Sequence, residues 1–93
     1  MPFYKAQEES NFNTYGYTPV SVIASFNTKG DFIPLYIQTE ENEERITLKV
    51  DSVHRIVEKL AYIEYECYVI LNGRKKLITL HYFIRDHIWK MRR

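Results

Sequence analysis

The chain has 93 residues, 45% of them hydrophobic and 27% charged, with a formal net charge of +1. This length supports one domain with a single modest core, and the composition excludes a disordered chain. Aromatic residues make up 15%, with eight Tyr and five Phe, which favours strands and large buried contacts and makes an all-β fold the first expectation.

Residues 1–19 read as an N-terminal arm, leaving 20–93 as a single β domain. Phe3, Tyr4, Phe12, Tyr15 and Tyr17 are scattered among polar residues without a period, and Gly16 and Pro19 punctuate the end. Such an arm either lays its aromatics over its own domain or docks on a partner subunit. The first strand is expected over Val20–Phe26, where Val20, Val22, Ala24 and Phe26 alternate with Ser21, Ile23 and Ser25. Asn27 to Asp31 is a turn, with Gly30 suited to the left-handed region. The second strand, Phe32–Gln38, places Ile33, Leu35 and Ile37 on one face. Pro34, which lacks a ladder donor, marks an edge strand or a bulge.

Thr39–Glu44 carries Glu40, Glu41, Glu43 and Glu44 and reads as a solvated, mobile acidic loop. It has neither the glycine nor the spacing of a calcium loop. A third strand, Arg45–Asp51, turns Ile46, Leu48 and Val50 one way and Arg45, Thr47 and Lys49 the other. Over 52–61, Val53, Ile56, Val57 and Leu60 fit a helical face that Ser52 would cap, but the β-branched residues and the strand-like neighbours favour a bent or bulged strand.

The clearest element is a long hairpin over 62–84 centred on Asn72-Gly73, because a type I′ turn needs positive φ at both central residues. With that turn, Cys67 faces Ile78, Tyr65 faces Leu80 and Ile63 faces Tyr82 on one side. Glu64 faces His81 and Glu66 faces Thr79 on the other. A slip of one residue would pair core positions with polar ones. Arg85-Asp86-His87 then makes a tight turn into a short closing strand, Ile88–Met91, in which Trp89 is suited to plug one end of a barrel. The expected architecture is a small curled sheet or SH3-like barrel of about 5–7 short antiparallel strands.

The layout Gly30-Asp31-Phe32-Ile33-Pro34-Leu35-Tyr36-Ile37, then Ile46–Val50, Tyr65-Glu66-Cys67, the Asn-Gly hairpin and Trp89 resembles small uncharacterised single-domain β proteins of Gram-positive bacterial genomes and mobile elements. The resemblance spans roughly residues 20–91. It implies an SH3-like or related β fold and a strand over 53–60, and it carries over no functional residue.

No catalytic template is met. Ser10, Ser21, Ser25 and Ser52 lack a nucleophile elbow. Cys67 is assigned to the inside of the hairpin and His81 to the outside, so with His54 and His87 they do not form a zinc set, and no close Cys pair exists. Glu64 and Glu66 share a solvated face, and Gly16, Gly30 and Gly73 are turn glycines. No enzyme activity, metal or cofactor is expected. The lone cysteine rules out an internal disulfide, Met1–Lys5 lacks the apolar core of a signal peptide, and the longest apolar runs are too short to span a membrane, which together suggest the cytoplasm.

A binding or assembly module, engaging another protein or a second copy, is the expected function. If Tyr62, Tyr68, Leu77 and Phe83 share the outer hairpin face, something must cover it. The alternative is a nucleic-acid-binding barrel. Up to Gly73 the chain holds six Lys/Arg against eleven Asp/Glu, and beyond it seven against Asp86 alone. Arg74, Lys75, Lys76, Arg92 and Arg93 would contact phosphates, and Tyr68 and Phe83 would stack on bases.

Overall fold

The computed structural model describes residues 16–92. Its strands are β1 (Tyr17–Phe26), β2 (Phe32–Glu41), β3 (Glu44–Glu58), β4 (Tyr62–Leu71), β5 (Arg74–Phe83) and β6 (Ile88–Arg92). Each is antiparallel to the next and β6 returns to β1, closing a small barrel consistent with the SH3-like kind. The expected arm lies outside the described residues as far as residue 15. Its last residues, Tyr17 to Pro19, are already part of β1 and pair with β6.

The Asn72-Gly73 turn forms as its chemistry demands, with φ of 53° and 76°. From it the β4–β5 ladder runs without a slip, Cys67 on Ile78 and Tyr65 on Leu80, out to Tyr62 on Phe83. The acidic stretch is not a loop. Asn42 and Glu43 take φ of 53° and 66°, the conformation of a second type I′ turn, so Glu41 pairs with Glu44 and the strands continue to the tip. Over 52–58 the chain is strand. β3 stays paired with β4 to Glu58 and absorbs its curvature at two register shifts, between Val50 and Ser52 and between Val53 and Arg55.

The face assigned to β2 needs correction. Ala24 pairs with Pro34 but Ile23 pairs with Tyr36, so Leu35 is an extra residue at a bulge. The bulge exchanges the two faces of β2. Pro34 and Ile37 are buried, while Ile33 and Leu35 point outward. Pro34 fits this position because its nitrogen faces β3, whose ladder with β2 ends at Tyr36–Lys49, so no ladder bond there requires its missing N–H.

Strand β1 is shared between two neighbours. Its residues Ser21–Phe26 pair with β2 and its residues Tyr17–Val20 pair with β6. Because backbone groups alternate in direction along a strand, the next bonded pair toward β2 after Ser21–Gln38 would be Pro19 with Glu40. Pro19 has no N–H to give, and the ladder stops. Beyond it β1 and β2 diverge around an opening of about 680 Å³ lined by residues including Thr18, Pro19, Gln38, Thr39 and Arg45. Thr39 is buried there, and its Oγ1 has no hydrogen-bond partner among the described residues.

The core comprises Ile37, Leu48, Tyr65, Cys67, Val69, Ile78, Leu80 and Met91. Burial pushes the Cys67 thiol up to about 12. A thiolate-directed disulfide reagent at pH 8 should therefore label the folded protein about a thousandfold or more slowly than the urea-unfolded chain, at a rate set by opening of the barrel. Timed mass spectrometry measures both rates.

Candidate functional site

The outer hairpin face is covered in part by its own side chains. His81 Nε2 lies 3.1 Å from Glu64 Oε1, the cross-strand pair expected from the register. The His81 ring sits between Tyr17 and Tyr62, with centroids 4.8 and 4.7 Å away, and is only 6% exposed. Phe83 packs on Tyr62, and Lys90 Nζ lies 5.6 Å from its ring centre. Tyr62, Tyr68 and Phe83 are half-buried, while Leu77 stays exposed.

The residues proposed to contact nucleic acid fall into two groups. Arg74, Lys75 and Lys76 are exposed at the β4–β5 tip, where Lys75 Nζ lies 3.3 Å from an Asp51 carboxylate oxygen. Such an exposed pair adds little stability. Arg92 is exposed toward the same end, its guanidinium 5.9 Å from the Tyr17 ring, and Arg93 lies outside the described residues. Tyr68 stands beside His54, ring centres 5.8 Å apart. Phe83 is opposite Tyr62, six residues along β4 from Tyr68 and thus about 20 Å away. The two aromatic platforms are therefore not brought together. The remaining candidates for chemistry are likewise dispersed. Cys67 is inside the barrel, His54 and His81 are on different parts of its outside, and His87 Nδ1 is 2.8 Å from Tyr82 Oη in a hydrogen bond.

The opposite end of the barrel holds what the sequence left unassigned. Tyr65 donates its hydroxyl to the Phe32 carbonyl at 2.9 Å. Around that bond Phe32, Tyr82 and Trp89 pack edge-to-face or tilted, with centroids 4.9 to 6.0 Å apart. Trp89 thus helps to plug this end, as expected. The plug leaves a pocket of about 300 Å³ lined by Val22, Ala24, Phe26, Phe32, Tyr82, His87 and Trp89. The ring of Phe26 forms its lip and is 67% exposed. Phe32 also borders a groove of about 480 Å³ whose wall includes Ile33, Ile56 and Ile84. Leu60 projects fully into solvent from the turn between β3 and β4, and Ala61 in that turn accepts a hydrogen bond from the Ile84 N–H at 3.2 Å.

The pocket exists because β1 outruns β6. Their last pair is Val20 with Trp89, after which the chain of β6 gives way to the Ile84–His87 turn. The alternation of Val20, Val22, Ala24 and Phe26 placed them on one face, but it gave no sign that the neighbouring strand would end first. Leu60, an apolar residue in the turn Lys59-Leu60-Ala61, was the available signal, and its fit to a helical spacing concealed it. Comparison with protein-family models, curated proteins and solved structures finds no match.

Proposed function

We propose that the protein is a non-enzymatic protein-binding module of the cytoplasm that engages its partner through the apolar end of the barrel. The observation that supports this most directly is the exposed lip of Phe26 beside an aromatic pocket, continuous through Phe32 with a groove bordered by exposed isoleucines. Apolar surface gathered in this way is a common mark of an interaction site. The pocket lining is mainly apolar and aromatic, which suits the binding of an apolar group.

The test is a chemical-shift titration with N-acetyl-phenylalaninamide as an apolar probe. Resonances of Phe26, Phe32, Tyr82 and Trp89 should move together and saturate, and Phe26→Ser should weaken the probe by about tenfold. The nucleic-acid alternative is supported by the exposed basic tip at the other end of the barrel. A parallel titration with a single-stranded oligonucleotide at two salt concentrations distinguishes the two. Salt-sensitive shifts confined to Arg74–Lys76, with none around Trp89, would replace the protein-binding reading with the nucleic-acid one.

A further inference from the structure

We infer that the margin of β1 beside the aromatic pocket is a strand-docking site, where an extended segment of a partner protein pairs with Val22, Ala24 and Phe26 and inserts one large apolar side chain. The inference rests on the apolar end being the binding end, and it adds how the partner's main chain is held there.

The direction of the backbone groups supports it. The Asn27 N–H donates to the Asp31 carbonyl at 2.9 Å, toward the β2 side of the turn. Counting back by alternation, Ser25, Ile23 and Ser21 also turn their N–H and C=O toward β2, while Phe26, Ala24 and Val22 turn theirs away. Val20 and Thr18 share this second direction and are met by Trp89 and Met91 of β6. From Val22 onward β6 is no longer alongside, and among the described residues no ladder on that side includes Val22, Ala24 or Phe26. Three alternate residues therefore present donors and acceptors in strand spacing. The partner that satisfies such a row is another extended backbone.

The pocket specifies what that backbone carries. A residue opposite Ala24 in a bonded pair has its side chain on the same face as Ala24, which is the pocket side. At about 300 Å³ the space is at the small limit for a ligand site, suited to one large side chain rather than a cofactor. Among the described residues no Lys, Arg, Asp or Glu lines it, and Tyr82 Oη and His87 Nδ1 are bonded to each other, so an ionised side chain would lose hydration without gaining an opposite full charge. The occupant is thus an extended segment with a phenylalanine-like residue at its centre, preferably flanked by β-branched residues that favour extension.

The deciding experiment titrates the labelled protein with the capped pentapeptide Thr-Val-Phe-Val-Thr and follows shifts and amide exchange. The peptide should bind about tenfold or more tightly than N-acetyl-phenylalaninamide, because the backbone bonds add to the side-chain contact. Exchange of the Val22, Ala24 and Phe26 amides should slow on binding. N-methylation of the peptide's Phe nitrogen, which faces β1, should remove the gain, whereas N-methylation of the following Val, which faces away, should keep it. Equal affinity of pentapeptide and single-residue amide, with no amide protection, would overturn strand docking while leaving the pocket reading intact. Failure of both ligands to move the Trp89 region would overturn both. A free protein that already dimerises with those three amides protected would assign the margin to a second copy instead of a foreign segment.

Discussion

Replacing Tyr65 with alanine should destabilise the barrel by about 3–5 kcal/mol, enough to unfold most of a marginally stable domain. The ring is 2% exposed and packs against Phe32 and Trp89, so truncation opens a cavity at the centre of the aromatic plug. The same change leaves the Phe32 carbonyl without the hydroxyl that reaches it at 2.9 Å. Tyr65→Phe separates the two effects. It keeps the packing and loses only the bond, and should cost about 1–2 kcal/mol. Urea titrations of the three proteins, followed by Trp89 fluorescence, give both differences. A Tyr65→Ala variant within about 1 kcal/mol of the parent would show that the plug does not support the core.

The second large effect is a loss of stability at alkaline pH. Burial is the main reason that the Tyr65 hydroxyl is pushed up to about 12, with the Cys67 thiol the next cause, and burial alone raises Cys67 to about 12. Both are acids whose neutral forms the fold favours. In the unfolded chain their protons leave near the ordinary values of 9.0 and 10.0, and in the barrel only near 12. Between those limits the folded state binds more protons, so stability falls as pH rises. It is undiminished by these groups below about pH 8, and each tenfold difference in proton affinity between the two states corresponds to about 1.4 kcal/mol. The urea midpoint should therefore drop steeply between pH 9 and 12, and Cys67→Ala should make the decline shallower. A midpoint that stays constant to pH 11 would mean that neither group is protected as its burial requires.

The sequence carried the fold where side-chain chemistry acts locally. Asn72-Gly73 specified its own turn, and the turn fixed ten cross-strand pairs from Leu71–Arg74 to Tyr62–Phe83. The β-branched residues of 52–58 outweighed a helical spacing because β4 supplied pairing that an isolated helix of that length would lack. Local signals were weaker for β2. Pro34 pointed to an edge strand or a bulge, but the position of the bulge decided which face of β2 turned inward, and that depends on the register with β1. The acidic run failed for a related reason. Glu43 in the left-handed region is unusual for a residue with a Cβ, and only the pairing of Glu41 with Glu44 shows that the charges flank a turn. The candidate site was the least legible part. Val22, Ala24 and Phe26 read as core positions, and what changes their role is the early end of a strand sixty and more residues later.

Closure through β1 and β6 also orders the events of folding. Five of the six junctions around the barrel join strands that follow one another in the chain, so each can form as a hairpin with a short loop. The sixth must bring Tyr17–Val20 to Trp89–Arg92 across nearly the whole described chain, and the entropy of that long loop is charged to four residue pairs. During synthesis the meander can assemble strand by strand while the N-terminal half of β1 waits. Until β6 emerges, the aromatic residues that later form the plug have only part of their wall.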